Sequence, residues 1–193
     1  MPAHPLRELE AWIAAAREAG VAHPASVAFV TADAEGRPSA RTVTLKRVDS
    51  ESLVFTSALW TRKARDVAAN PHVALLFHWP SLGRQVHVTA TARVGPRALA
   101  EELFDEREEL HRWQAVVSRQ GEPIEDLEPL RDRLAHLTRV AETPPTCPPD
   151  WGVLELVPSA VELWEEAPDR LHERRLFVRE GDAGGWTERL LAP

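Results

Sequence analysis

Hydrophobic positions along the chain change period several times, and each change marks an element. Residues 5–19 follow a helical period. Leu6, Leu9, Trp12, Ile13 and Ala16 share one face, Pro5 suits a first turn and Gly20 suits a stop. Residues 26–32 are apolar and β-branched, a strand pattern that ends at the turn Asp33-Ala34-Glu35-Gly36. A second strand is predicted over 40–47 and a third over 53–57, joined by a polar turn at 49–52. Short connections predict an antiparallel meander of the three. Residues 61–69 are predicted as a short helix, with Thr61 as N-cap and Asn70-Pro71 as the stop. Residues 72–79 and 84–94 form a predicted hairpin around Pro80-Ser81-Leu82-Gly83. In its second arm Val86, Val88, Ala90 and Ala92 alternate with polar residues. A broken helical region is predicted from Pro96 to Val117 and a charged helix over 126–140. Strands return at 151–157, 161–164, 171–178 and 186–191.

Short strands with tight turns, and helices inserted late, predict a mainly β protein: a small antiparallel barrel with helices around it. Closure removes the sheet edges that would otherwise be exposed. Strands that resume after residue 150 favour one continuous domain over 1–193.

Composition narrows the function. At 193 residues and 44% hydrophobic, the chain can build a core without staples. Its single cysteine, Cys147, lies in a proline-rich run and cannot form an internal disulfide, which fits a reducing, cytoplasmic setting. No apolar run has the length of a membrane span, and Met1-Pro2-Ala3-His4-Pro5 lacks a signal-peptide pattern. A formal net charge of −7 argues against nucleic acid as a partner, though not against a local basic pocket for a small phosphate. Glycine-rich dinucleotide and phosphate loops, the hydrolase elbow and zinc-ligand spacings are absent, so no metal is expected.

Basic residues are scattered around the β elements instead. Arg62 and Lys63 follow Thr61 at a helix start, where free amides and the helix dipole favour an anion; two solvated side chains are the alternative. Arg41 and Lys46 lie an odd number of positions apart, so a regular strand sends them to opposite faces unless a bulge intervenes. Gln85 can donate and accept at a strand mouth, and Trp164 is a core or interface anchor. Leu103, Arg107 and His111 are spaced four apart and share a face if their helix is unbroken. Arg170, His172 and Arg174 alternate, which on a strand puts all three on one face. A salt-bridged surface with Glu165, Glu166, Asp169 and Glu173 is the alternative there.

The order of these motifs is more specific than any one of them. Arg41-Thr42-Val43-Thr44-Leu45-Lys46, Thr56-Ser57, Thr61-Arg62-Lys63, Asn70-Pro71, Arg84-Gln85-Val86, Trp151-Gly152, Trp164, Arg170-Leu171-His172-Glu173-Arg174 and the terminal Arg189-Leu190-Leu191-Ala192-Pro193 resemble the pyridoxamine 5′-phosphate oxidase family over nearly the whole chain. The resemblance implies an antiparallel split β-barrel and a homodimer with FMN at the subunit interface. It implies cofactor contacts from Arg41, Thr42, Val43, Thr44, Leu45, Lys46, Thr56, Ser57, Arg62, Lys63, Gln85, Gln120, Trp164 and Arg174. Lys46 and Arg107 match the positions that take the substrate phosphate. Arg170 and His172 match the catalytic pair at the substrate ring.

The family's phosphate cluster also uses a tyrosine and a serine, where this chain has Leu103 and His111; His111 can still donate a hydrogen bond. Thr56 stands where a tyrosine is usual, Trp60 where a small residue is usual, and the basic N-terminal arm is missing. The expected activity is an FMN-dependent oxidase making pyridoxal 5′-phosphate and hydrogen peroxide. Alternatives are oxidation of another reduced aromatic metabolite, such as a dihydrophenazine precursor, or a non-catalytic flavin-binding module.

Overall fold

A computed structural model describes residues 4–181 and 185–193. The opening Met1-Pro2-Ala3, read above for a signal-peptide pattern, lies outside the described residues. The elements run α1 (Pro5–Glu18), β1 (Ser26–Ala32), β2 (Pro38–Thr44), β3 (Arg47–Val48), β4 (Leu53–Ala58), α2 (Arg62–Ala69), β5 (His72–Trp79) and β6 (Arg84–Val94). Helices α3 (Arg97–Asp105), α4 (Glu109–Val117) and α5 (Glu128–Val140) follow, then β7 (Trp151–Glu165), β8 (Glu173–Glu180) and β9 (Gly185–Leu190). The architecture is mainly antiparallel β with peripheral helices, the predicted split barrel.

The sheet corrects the predicted meander. Its strands run in the order β2-β1-β5-β6-β7-β4-β3, with β8 joined to β7 and β9 to β8. β1 and β2 do pair, from Ser26 with Thr44 to Ala32 with Pro38. But the predicted second strand breaks at Leu45-Lys46, and β3 pairs with β4 through Arg47 with Val54. β2 and β3 therefore sit at opposite ends of the strand order while only two residues separate them in the chain. Three Cα steps from Thr44 to Arg47 span at most about 11 Å, so the sheet must curl to bring its ends together. The predicted strands at 151–157 and 161–164 are one strand, β7. Pro158, which lacks a donor, lies just before the β7–β8 ladder begins at Ala160 with Val178, so no bond of that ladder is lost there.

Contacts divide the chain into two compact units. The first comprises Met1–Phe55, Asp66–Arg93 and Glu155–Pro193. Its core joins the predicted face of α1 (Leu6, Leu9, Trp12, Ile13, Ala16) to Phe29, Phe55, Leu75, Phe77, Val86, Val88 and Phe177. Phe29 and Phe55 stack with centroids 5.8 Å apart, and Glu8 of α1 receives a two-pronged ion pair from Arg175 of β8. The second unit comprises Thr56–Arg65 and Val94–Leu154. Its core is built from Ala100, Leu103, Phe104, Trp113, Trp151 and Leu154, with Phe104 edge-on to Trp151 at 5.6 Å. Among the described residues no helix is long and apolar enough to cross a membrane, and no group of three or more His, Cys, Asp or Glu could hold a metal ion.

Candidate active site

In the second unit, the end of β4 and the start of α2 concentrate hydroxyls and cations. Ser57 and Thr61 are buried, their hydroxyl oxygens are 3.0 Å apart, and both donate to the carbonyl of Ala58 at 2.9 and 2.8 Å. Thr61 precedes the helix as predicted, but it directs its proton back to Ala58. The first turn of α2 holds no acidic residue. Arg62 and Lys63 occupy it instead, and Lys63 is only 9% exposed. A helix N-terminus presents free amides and a partial positive charge that favour an anion. A phosphate monoester accepts from free N-terminal amides and from cationic side chains alike, so this donor set fits the phosphate of FMN. Thr56 is half-buried on the same strand, and Gln120 is exposed beyond α4.

Trp60, also in this unit, carries the guanidinium of Arg119 over its ring at 4.7 Å, and its indole nitrogen is buried with no hydrogen-bond partner.

Further along, Arg107 follows α3. Leu103, Arg107 and His111 would share a face only on an unbroken helix, and the helix stops at Asp105 and restarts at Glu109. Leu103 turns into the core, 2% exposed. The Arg107 guanidinium lies 4.3 Å above the Trp151 ring and 5.9 Å from Phe104, and it donates to the His111 carbonyl at 2.8 Å. Its Nε is buried without a partner, and burial lowers its pKa. No carboxylate among the described residues pairs with it. The His111 ring is 62% exposed and 3.9 Å from Glu108, so its carbonyl, rather than its ring, touches Arg107.

In the first unit, β2 alternates between exposed positions (Thr42, Thr44) and half-buried ones (Arg41, Val43). Arg41 donates to the Thr31 hydroxyl at 2.7 Å, the Ser39 hydroxyl at 2.8 Å and the Phe29 carbonyl at 3.2 Å. Thr31 in turn donates to the buried carboxylate of Asp66 at 2.6 Å, which lies 3.8 Å from Arg41. The strand ends at Thr44, so the parity argument for Arg41 and Lys46 does not apply. Leu45 is buried, and exposed Lys46 lines a cavity of about 400 Å³ with Arg17, Arg47 and Glu10. Gln85 faces His78 across the β5–β6 ladder, and its half-buried side chain has no protein partner among the described residues.

The β7–β8 hairpin corrects the expectation that the basic trio shares one strand face. β8 starts only at Glu173, so Arg170 and His172 lie in the connecting loop and Arg174 alone is on the strand. Arg174 pairs with Trp164 in register and donates to Glu162 at 2.8 Å and the Ala192 carbonyl at 3.1 Å. The Glu162 hydrogen bond raises the Arg174 pKa. Pro168 and Asp169 form a turn closed by the Arg170 amide on the Ala167 carbonyl at 3.1 Å, and Asp169 accepts the Leu171 amide at 3.0 Å. Arg170 leaves the turn at φ 70°, in the left-handed region. The chain then folds back so that the Ala167 amide donates to His172 Nδ1 at 3.1 Å, with the His172 ring 4.8 Å from that of Trp164. Arg84 holds Glu165 at 2.8 Å, and the Glu166 amide donates to the Gly83 carbonyl at 2.8 Å, tying this loop to the β5–β6 turn.

Three participants escaped the residue-level reading: Trp151 beneath Arg107, Arg119 on Trp60, and the Ala167 amide. An arginine near a tryptophan in space leaves no mark in spacing, and a backbone donor has no sequence signal at all.

The pyridoxamine 5′-phosphate oxidase family model matches residues 13–141, and the model of the pyridoxine 5′-phosphate oxidase C-terminal dimerisation region matches residues 151–193. A pyridoxine/pyridoxamine 5′-phosphate oxidase of Gluconobacter oxydans is 36% identical over 100% of this chain and 96% of its own. That of Rubrobacter xylanophilus is 41% identical over 98% and 87% respectively. The crystal structure of PhzG from Burkholderia lata in complex with tetrahydrophenazine-1-carboxylic acid superposes with a TM-score of 0.93, at 27% identity over 100% of this chain and 94% of that one. A related FMN-binding protein from Nostoc punctiforme, 18% identical with a TM-score of 0.81, shares the fold. The chain belongs to the pyridoxamine 5′-phosphate oxidase family and is an FMN-dependent oxidoreductase.

Proposed function

We propose that this protein oxidises pyridoxine or pyridoxamine 5′-phosphate to pyridoxal 5′-phosphate with oxygen as acceptor. Arg107 carries the reading. A half-buried guanidinium held on an aromatic face, with a buried unpaired Nε and no carboxylate, calls for a ligand anion, and a substrate phosphate supplies one. Relatives 36% and 41% identical along almost the full chain bear that name, which supports the same choice.

In this reading Ser57, Arg62 and Lys63 hold the phosphate of FMN. Gln85, Gln120, Trp164 and Arg174 line its ring system, together with Thr56 and the stretch from Arg41 to Lys46. Lys46 and Arg107 take the substrate phosphate, with His111 beside them, and Arg170 and His172 orient the substrate ring. When bound, FMN supplies the electron-accepting ring that reacts with oxygen. The protein supplies placement and charge. The matched dimerisation region supports a homodimer, with FMN at the subunit interface.

A second reading is oxidation of a reduced tricyclic aromatic acid. Buried Leu103, which leaves the phosphate cluster one donor short, and the PhzG likeness favour it. Aerobic turnover by the FMN-loaded protein separates the two. Pyridoxine 5′-phosphate is expected to yield pyridoxal 5′-phosphate and peroxide. No turnover with it, alongside turnover of a dihydrophenazine carboxylate, would establish the second reading.

A further inference from the structure

The β7–β8 loop sets the tautomer of its own histidine. An amide N–H can only donate, so the 3.1 Å bond from Ala167 leaves His172 Nδ1 as the acceptor. A neutral imidazole has one proton, which must then sit on Nε2. No protein group among the described residues pairs with Nε2.

Three features hold the arrangement. The turn closed by Arg170 on the Ala167 carbonyl fixes the backbone around the donor. Arg170, at φ 70°, redirects the chain so that Leu171 and His172 double back. The Trp164 ring, 4.8 Å away and tilted by 50°, limits rotation of the imidazole. Arg170 thus does two things: its backbone builds the lock, and its side chain projects from the loop.

We infer that the backbone amide of Ala167 is a positioning group that locks His172 as the neutral Nε2–H tautomer, so that His172 meets its ligand as a hydrogen-bond donor rather than as a proton acceptor. The ligand it fits carries an electron-rich oxygen or nitrogen acceptor at the ring edge. This rests on the reading of His172 as a substrate-side residue, and two separate measurements distinguish the lock from that role.

The lock is tested on the FMN-loaded protein labelled with ¹⁵N-histidine. Long-range ¹H–¹⁵N correlation at neutral pH is expected to show a pyridine-like Nδ1 and a protonated Nε2 for His172, assigned by loss of its signals in His172→Gln. A proton on Nδ1, or an even mixture of tautomers, in the wild-type protein would overturn the proposal, and this readout needs no variant to fold. Ala167→Pro removes the N–H and is expected to mix the tautomers and lower kcat/KM roughly five- to tenfold, the effect of about one lost orienting hydrogen bond. Ala167→Gly keeps the donor and is expected to change neither.

The role is tested by kinetics with pyridoxine 5′-phosphate. The glutamine amide reaches the Nε2 position and the asparagine amide the Nδ1 position. His172→Gln is therefore expected to retain more kcat/KM than His172→Asn. The reverse order, or equal losses, would count against the donor role. No change in either variant would remove His172 from the substrate side while leaving the tautomer result intact.

Discussion

Arg62 and Lys63 open α2, where free amides and the positive end of the helix dipole favour an anion. The double change Arg62→Ala with Lys63→Ala removes two charge-assisted contacts of about 1.5–3 kcal/mol each, so FMN affinity is expected to fall at least a hundredfold. Equilibrium dialysis with flavin fluorescence measures it, and unchanged retention would remove the phosphate site. At Arg170 the backbone and side chain make opposite predictions. Arg170→Gly relieves about 1–2 kcal/mol of left-handed strain and costs about 0.5–1 kcal/mol in chain entropy. Melting temperature is thus expected to stay near wild type while kcat/KM drops tenfold or more. Cys147 is a third case. Burial raises its pKa above that of an ordinary thiol, so the thiolate appears only at higher pH. Alkylation of the folded protein near pH 8 is expected to lag behind that of the unfolded chain.

Among the elements, the hairpins and α1 were legible because each carries its own period and its own turn. β5 and β6 form where predicted, and α1 buries the five residues assigned to its face. The β5–β6 turn also positions the β7–β8 loop. Gly83 adopts φ 59°, and a Cβ there would lie 2.9 Å from Glu166 Cβ. Gly83→Ala therefore combines backbone strain with a clash and is expected to cost about 1–3 kcal/mol, read as a lowered melting temperature. What was not legible were the breaks. β2 stops at Thr44 although Leu45 to Arg47 continue the strand pattern, because Arg47 finds its partner in β4. The helical region from Pro96 to Val117 was expected to be broken, but not where: α3 stops at Asp105, which separates Leu103, Arg107 and His111. In both places long-range pairing or core packing overrides local propensity.

For the whole molecule, the matched dimerisation region predicts a particle of twice the 21.5 kDa chain mass by analytical ultracentrifugation. FMN binds the folded state and should stabilise it by about 2.7 kcal/mol at a hundred times its Kd, so the holoprotein is expected to melt above the apoprotein. A melting temperature indifferent to FMN would contradict a built cofactor site.

The sequence by itself determined the mainly β class, most strands, the α1 core face, the basic helix start and, through the order of its motifs, the family. These rest on local periodicity and on residue types, which a linear chain displays. Only the tertiary structure decided that β2 and β3 belong to opposite ends of a curled sheet, that Arg107 lies on Trp151 and that Leu103 turns inward. It also decided that Arg170 and His172 belong to a loop rather than a strand face. Each of these depends on a partner distant in sequence or on a backbone group with no side-chain identity.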